Sequence, residues 1–359
     1  MTIDDDLAAW GEPATVSAEQ AEADHLADAL ERLERGEPAT PPDDRLVRGL
    51  TSVHGQASAF RREAGLLDDD RLDRFATLVS PPPADPPLPD PLPGEYQVLR
   101  LLGRGAFGEV WLAREMTPLA RLVALKTLRP GGDPASREQR LDALRHEAQL
   151  LAQMRPHPNI VSVYTWRQAG DEHYLVLQYV SGNSLEERLR EGPLSWEDAA
   201  RYVADVGEGL LHVHGQGLVH RDVKPANILW DQERDEAVLT DLGISIRLDG
   251  PGGVGGTPLY MAPEAFAGRV TPRMDVYSLA ATLFRLTTGA YPFPAPDGCK
   301  DFTALSAALR AQIERGLPDP DPRCAGLPER LERLIREGLA ADPERRPDLA
   351  AFVEALRGG

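Results

Sequence analysis

The chain has 359 residues and a formal net charge of −18, which argues against nucleic acid or an anionic membrane surface as its main partner because both reward a basic face. An apolar fraction of 42% is ample for a packed core, no stretch approaches the ~20 apolar residues of a membrane helix, and the acidic start MTIDDDLAAW is unlike a secretory signal. The expectation is a soluble cytoplasmic protein in which Cys299 and Cys324, lacking metal-type spacing, are free thiols.

The charge is uneven. Residues 1–79 hold 18 acids and 8 arginines, so over half of the acidic excess lies in under a quarter of the chain. The pattern there is helical. Ser17 to Gln20 has capping-box spacing, Leu26, Leu30 and Leu33 share a face, and Gly36 follows as a stop. Leu46, Leu50, Val53 and Phe60 form a second stripe, and Leu72, Phe75 and Val79 a third. This region reads as a regulatory or docking module that binds a partner, dimerises or docks on the rest of the chain. His25 and His54 are isolated, with no Cys or paired His nearby to suggest a metal. Residues 80–94, SPPPADPPLPDPLPG, carry eight prolines and favour extended polyproline II, a spacer that marks the domain boundary.

After the spacer the period changes. EYQVLRLLGRG, EVWLAREM, RLVALKTL, IVSVYTW and HYLVLQYV read as short strands. From Ser184 onward helical patterns dominate, including Glu197 to His214, Met274 to Thr287 and Pro328 to Leu356. Strands first and helices after predict an α+β domain with a small sheet lobe and a larger helical one.

Gly103, Gly105 and Gly108, followed by Val110, give G-x-G-x-x-G-x-V, where bare backbone can approach phosphate oxygens. The motif lies between two strand-like runs, whereas a dinucleotide fold needs a helix to open directly after it. Of 39 basic residues only three are lysine, Lys126, Lys224 and Lys300. A compact ammonium cannot be replaced by arginine's fork where a point charge must fit. Lys126 ends the apolar strand VALK, so its charge needs an anionic partner. Glu147, on the helical run LDALRHEAQLLAQM, is a candidate. HRDVKPANIL then places Asp222, Lys224 and Asn227 on one loop, and LTDLG supplies Asp241. An acid can accept a hydroxyl proton, an ammonium can sit on a transferring phosphoryl group, and amide and carboxylate oxygens suit a hard cation. Lys300, in a polar loop, reads as a solvated surface charge.

In order and spacing this set resembles the eukaryotic-type (Hanks-type) serine/threonine protein kinases of bacteria, from about Glu95 to Leu356. The motifs APE at Ala262 to Glu264, DVYSL from Asp275 and RRP ending at Pro347 complete it. The resemblance implies a two-lobed kinase fold over residues 95–356, with an N-lobe to about 180. It implies that Mg-ATP (or Mn-ATP) is held between the lobes and that its γ-phosphoryl group passes to Ser/Thr hydroxyls of protein substrates. It further implies that Gly103, Gly105, Ala106, Phe107, Gly108, Val110 and Ala124 cover the nucleotide, and that Leu177 is the gatekeeper. Main-chain groups of Gln178, Tyr179 and Val180 would meet adenine, and Lys126 the phosphates while paired to Glu147. Asn227 and Asp241 would hold the metal, Asp222 orient and deprotonate the acceptor, and Lys224 steady the γ-phosphoryl group. Thr257 would contact these residues, Glu264 would pair with Arg346, and Asp275 would tie down the catalytic loop. Two departures stand out: Leu242 replaces a customary phenylalanine, and Gln178 stands where an acid is common at the hinge. A nucleotide-binding pseudokinase scaffold and a small-molecule phosphotransferase are the alternative readings.

Between Ile246 and Gly256 the chain has five glycines, one acid, Asp249, and no hydroxyl. In the resembling family this activation loop is ordered in many members by a phosphate that pairs with the arginine before the catalytic acid, here Arg221. Ser245 is too close to the metal site for that role. The expectation is that Asp249 or another carboxylate partners Arg221 permanently, so that no activation-loop phosphate is required.

Overall fold

A computed structural model describes residues 94–104, 108–128, 134–170, 172–248, 253–296 and 301–358. The N-terminal helical stripes, His25, His54, nearly all of the proline spacer, Gly105, Ala106, Phe107, Asp249, Cys299 and Lys300 lie outside the described residues.

Five strands form one antiparallel sheet in the order β1-β2-β3-β5-β4. They are β1 (Tyr96–Arg104), β2 (Gly108–Glu115), β3 (Leu122–Leu128), β4 (Val163–Ala169) and β5 (Glu172–Gln178). Alternation assigns the two faces. Val123 and Leu125 of β3 join Tyr96, Trp111 and Val176 in one buried cluster, while Ala124 joins Leu177 on the other side. Helix α1 (Pro134–Gln153) covers that second side, with Leu144 and Leu151 packed beside Ala124, Leu177 and Leu242. The strand expected from Ile160 begins later, at Val163. Ile160 instead makes an isolated bridge to Leu239, its backbone drawn toward the helical half of the domain.

The remaining helices are α2 (Leu185–Arg188), α3 (Trp196–Gly215), α4 (Arg273–Thr288), α5 (Phe302–Arg315), α6 (Glu329–Gly338) and α7 (Leu349–Arg357). Ser184 opens α2 with a full capping box, and Ser195 caps α3 by accepting from the Asp198 N–H. Every residue of α4 from Met274 to Phe284 is buried, and Gly289 ends it in a left-handed conformation. Val206, Leu210, Val276, Leu283, Ile335 and Phe352 belong to the largest core. The helical stretch expected from Pro328 to Leu356 is two helices. A short 3-10 turn, Pro343–Arg345, separates them, because prolines at 343 and 347 cannot continue a helix and because Arg346 between them turns inward. Helix α5 is one that the periodicity above did not single out.

Two small hairpin-like pairs carry the chemistry-bearing loops. β6 (Leu218–Val219) pairs with β9 (Ile246–Arg247), and β7 (Ile228–Asp231) with β8 (Glu236–Leu239). The loop holding Asp222 runs from β6 to β7, and Asp241 follows β8 directly. Among the described residues no helix is long and apolar enough to cross a membrane.

Candidate active site

Sheet register builds one wall of the site. Val110 pairs with Lys126 across β2 and β3, and Ala124 with Leu177 across β3 and β5. Because side chains alternate, Val110, Ala124, Lys126 and Leu177 share the face that meets α1. The two described glycines of the flap differ. A Cβ at Gly103 would meet no atom of the described residues within 4 Å, so none of their contacts demands glycine there. A Cβ at Gly108 would lie 1.8 Å from the Thr127 carbonyl oxygen, so strand packing requires glycine there whatever ligand is bound. At the hinge, Gln178 donates its N–H to the Ser162 carbonyl at 2.8 Å and accepts the Ser162 N–H on its side-chain oxygen at 3.3 Å. Its side chain therefore turns to the start of β4, and its N–H is already engaged. Tyr179 is half-buried and Val180 is buried beside them.

Lys126 stands between two carboxylates. Its ammonium donates to Glu147 Oε2 at 2.6 Å and to Asp241 Oδ1 at 3.1 Å. Burial opposes the charge, but the two acids overcome it and raise the lysine pKa above its ordinary value. Burial also works against the charge of Asp241, yet Lys126 holds it below the usual carboxylate range. For Glu147 burial wins and pushes its pKa up against the pull of Lys126. The second oxygen of Glu147 is buried without a hydrogen-bond partner among the described residues. Leu242, which replaces the customary phenylalanine, is fully buried in the cluster that joins α1 to β5.

Asp222 is the hub of a second cluster. Its Oδ2 accepts from Lys224 Nζ at 2.7 Å and from Asn227 Nδ2 at 2.9 Å, and its Oδ1 accepts the Thr257 N–H at 2.9 Å and hydroxyl at 2.7 Å. Lys224 also donates to the Thr257 hydroxyl at 2.6 Å. A carboxylate can accept about four such bonds, so both oxygens are fully engaged and fixed in direction. Any further donor reaching Asp222 must take over one of these positions.

Backbone strain marks the same loops. Arg221 (φ 70°) and Asp241 (φ 65°) are two of four non-glycine residues with positive φ among the described residues, a conformation that persists only where the surroundings enforce it. Asp275 supplies that force for Arg221. Its Oδ1 accepts the Arg221 N–H at 2.8 Å, and its Oδ2 accepts the His220 N–H at 2.9 Å and sits 2.8 Å from His214 Nε2. Burial works against the Asp275 charge, but His214 and these donors hold its pKa below the ordinary carboxylate value. His214 belongs to no motif in the sequence. A histidine at the end of an otherwise apolar helix face is the one available signal.

Arg221 is expected to pair with Asp249 or another carboxylate, and Asp249 lies outside the described residues. Among the described residues its guanidinium donates to main-chain carbonyls, from Nε to Ile244 at 2.7 Å, from a terminal nitrogen to Ile244 again, and from the other to Gly253 at 3.1 Å. Burial lowers its pKa from the usual arginine value. Two glycines let the loop close over it. A Cβ at Gly255 would lie 3.3 Å from the guanidinium carbon, and one at Gly256 would lie 2.7 Å from the Arg221 carbonyl oxygen. Gly256 also holds φ 119°, which side chains rarely adopt. Ser245 is almost fully buried with its hydroxyl on the His220 carbonyl. Further along, Arg346 donates to both oxygens of Glu264, at 2.7 and 2.8 Å.

A hard divalent cation takes oxygen donors and, in the case of Mg²⁺, keeps several waters and phosphate oxygens. Asn227 commits its amide nitrogen to Asp222, which leaves the amide oxygen as its donor. Asp241, whose carboxyl Lys126 holds below the usual carboxylate range, has one oxygen on Lys126. One amide oxygen and one carboxylate fit such a cation and leave room for a polyphosphate to complete its shell.

Comparison with known proteins identifies the family. The chain is 35% identical over 269 residues to the serine/threonine-protein kinase PrkC of Bacillus subtilis, covering 73% of this chain and 40% of that protein. It is 36% identical over 279 residues to PknJ of Mycobacterium tuberculosis, covering 74% and 46%, and 32% identical over 276 residues to pkn2 of Myxococcus xanthus, covering 74% and 32%. The chain thus spans under half the length of each of these curated relatives. Residues 96–356 match the family model of the protein kinase domain, and with the fold and both clusters in the same span, the chain belongs to the protein kinase family.

Proposed function

We propose that this chain is a serine/threonine protein kinase that uses ATP with Mg²⁺, or Mn²⁺, which shares its preference for hard oxygen donors. The observation that carries the reading is the convergence on Asp222 of Lys224, Asn227 and the Thr257 hydroxyl. Bound ATP supplies the phosphoryl group, and the cation neutralises charge that develops on it. The protein's part is positioning. Lys126, braced by Glu147, presents a fixed ammonium to the α and β phosphates. Asn227 and Asp241 supply oxygens to the cation. Asp222 orients the acceptor hydroxyl and takes its proton, and Lys224 lies two residues away to steady the transferring group. Val110, Ala124 and Leu177 line the adenine side, with main-chain groups at Gln178 to Val180 as the hinge contacts. Lys224 and Thr257 favour Ser/Thr acceptors on proteins, as do the names of the relatives above.

The same reading includes activity without a phosphate on the activation loop. Arg221 already has hydrogen-bond acceptors in the Ile244 and Gly253 carbonyls. Ser245 is buried, and Thr257 is bound to Asp222. Residues 1–79 with the spacer at 80–94 are assigned to docking or regulation in a cytoplasmic enzyme, so truncation at Gly94 is expected to spare chemistry and alter partner choice.

Phosphotransfer from labelled ATP with Mg²⁺, to the protein itself and to generic protein substrates, tests the proposal with Asp222→Asn as control. Transfer lost in the variant supports it, and ATP binding without transfer favours a pseudokinase. Phosphatase treatment tests the second part. Activity that vanishes and returns with a phosphate mapped to residues 245–257 overturns it.

A further inference from the structure

Helix α1 carries a second residue that reaches the site. His146, directly before Glu147, places its imidazole Nε2 2.8 Å from the main-chain carbonyl oxygen of Ser245. We infer that His146 is a positioning residue for phosphotransfer, tying α1 to the segment that follows Asp241. The inference rests on the kinase reading above and adds a residue that no motif identifies.

Three observations support the tie. Ser245 is itself fixed, since it is almost fully buried, its N–H donates to the Leu242 carbonyl at 3.0 Å, and its hydroxyl donates to the His220 carbonyl at 3.4 Å. The preceding carbonyl, Ile244, accepts from Arg221. Two consecutive carbonyls are thus gripped from two elements, one by the catalytic loop and one by α1. Finally, the Glu147 carboxylate next to His146 shares Lys126 with Asp241 and makes the shorter of its two bonds, 2.6 against 3.1 Å.

The consequence follows from the two partners of Lys126. If α1 withdraws, Glu147 goes with it and Lys126 falls wholly to Asp241. The Asp241 oxygen that already accepts from Lys126 at 3.1 Å then meets the undivided charge of the ammonium, in competition with the cation. By holding α1 in place, His146 sets how Lys126 is shared. A bond to a carbonyl requires a proton on Nε2, which one neutral tautomer and the imidazolium both carry. A glutamine amide can replace that donor, and alanine cannot.

The test compares His146→Ala with His146→Gln in the full chain, measuring phosphotransfer to a generic protein substrate with Mg-ATP, together with amide hydrogen exchange. His146 is exposed, so neither change removes core packing, and the thermal midpoint serves as the folding control. For alanine the expected result is a kcat lowered about fivefold, the effect of one lost hydrogen bond, and KM for the protein substrate changed less than about twofold. A higher Mg²⁺ requirement and faster exchange over residues 244–247 are expected with it. Glutamine is expected to restore all of these. Alanine behaving as wild type, or glutamine no better than alanine, overturns the inference. If the wild-type chain transfers no phosphate, the kinase reading fails on its own. Exchange then decides the tie: faster in alanine and not in glutamine supports it, and equal rates in both refute it.

Discussion

Glu264 and Arg346, 82 positions apart in the chain, meet in two parallel hydrogen bonds of 2.7 and 2.8 Å with both side chains withdrawn from solvent. The guanidinium also donates to the carbonyls of Ala340, Arg273 and Ala341, so it joins the segment after Glu264 to the α6–α7 connection. Removing one member strands the other. Arg346→Met is expected to cost about 3 to 5 kcal/mol and to lower the thermal midpoint by roughly 10 °C. The double variant Glu264→Gln, Arg346→Met should lose less than the sum of the single changes, because no unpaired charge remains buried. Thermal unfolding of the three variants checks this.

Thr257 touches both Asp222 and Lys224 through one hydroxyl. Thr257→Ser keeps that hydroxyl and should stay within about threefold of wild type, whereas Thr257→Val keeps only the N–H bond to Asp222 and should lose about 10- to 100-fold in kcat. The two variants should share a thermal midpoint. Steady-state phosphotransfer separates them, and equal activities would remove Thr257 from the site.

The glycines over Arg221 should not be equivalent. At Gly255 an alanine Cβ would press on the guanidinium at 3.3 Å, which a side chain can relieve by a small shift. At Gly256 the same Cβ would meet the Arg221 carbonyl at 2.7 Å from a backbone at φ 119°, a combined clash and strain of about 1 to 3 kcal/mol. Gly255→Ala is therefore expected to retain most activity and Gly256→Ala to lose at least about tenfold, read as kcat on folded protein.

The depressed pKa of Asp275 gives stability a direction with pH. A carboxyl that titrates lower when folded contributes fully above its unfolded pKa, near the ordinary 3.8, and the contribution is lost as pH falls through the folded value. Asp275→Asn should be less stable than wild type at pH 7, and the gap should narrow below about pH 4. Denaturant unfolding at pH 7, 5 and 3.5 measures the gap, and a constant difference across that range would show that the charge of Asp275 is not what matters.

Much of the domain was legible in one dimension. The strands around VALK and HYLVLQYV follow from alternation, and α3 and α4 from helical period. The chemistry-bearing residues stand out because their types at their spacings are hard to explain otherwise, with Lys126 and Lys224 conspicuous in a chain that has three lysines. Less legible were the delayed start of β4, where Ile160 is claimed by Leu239, and the break between α6 and α7, where Arg346 turns toward a residue far away in sequence.

By itself the sequence determined which side chains carry charge, which loops can bend and which faces are apolar, because these depend on residue type and near neighbours. Only the tertiary structure decided that Lys126 is shared between Glu147 and Asp241, that Arg221 reaches the Ile244 and Gly253 carbonyls, and that His146 reaches Ser245. The reason is physical. Every residue carries the same main-chain carbonyl, so the sequence does not mark which one will be an acceptor, and its direction is set by backbone angles such as the positive φ of Arg221 and Asp241 that the packed fold imposes.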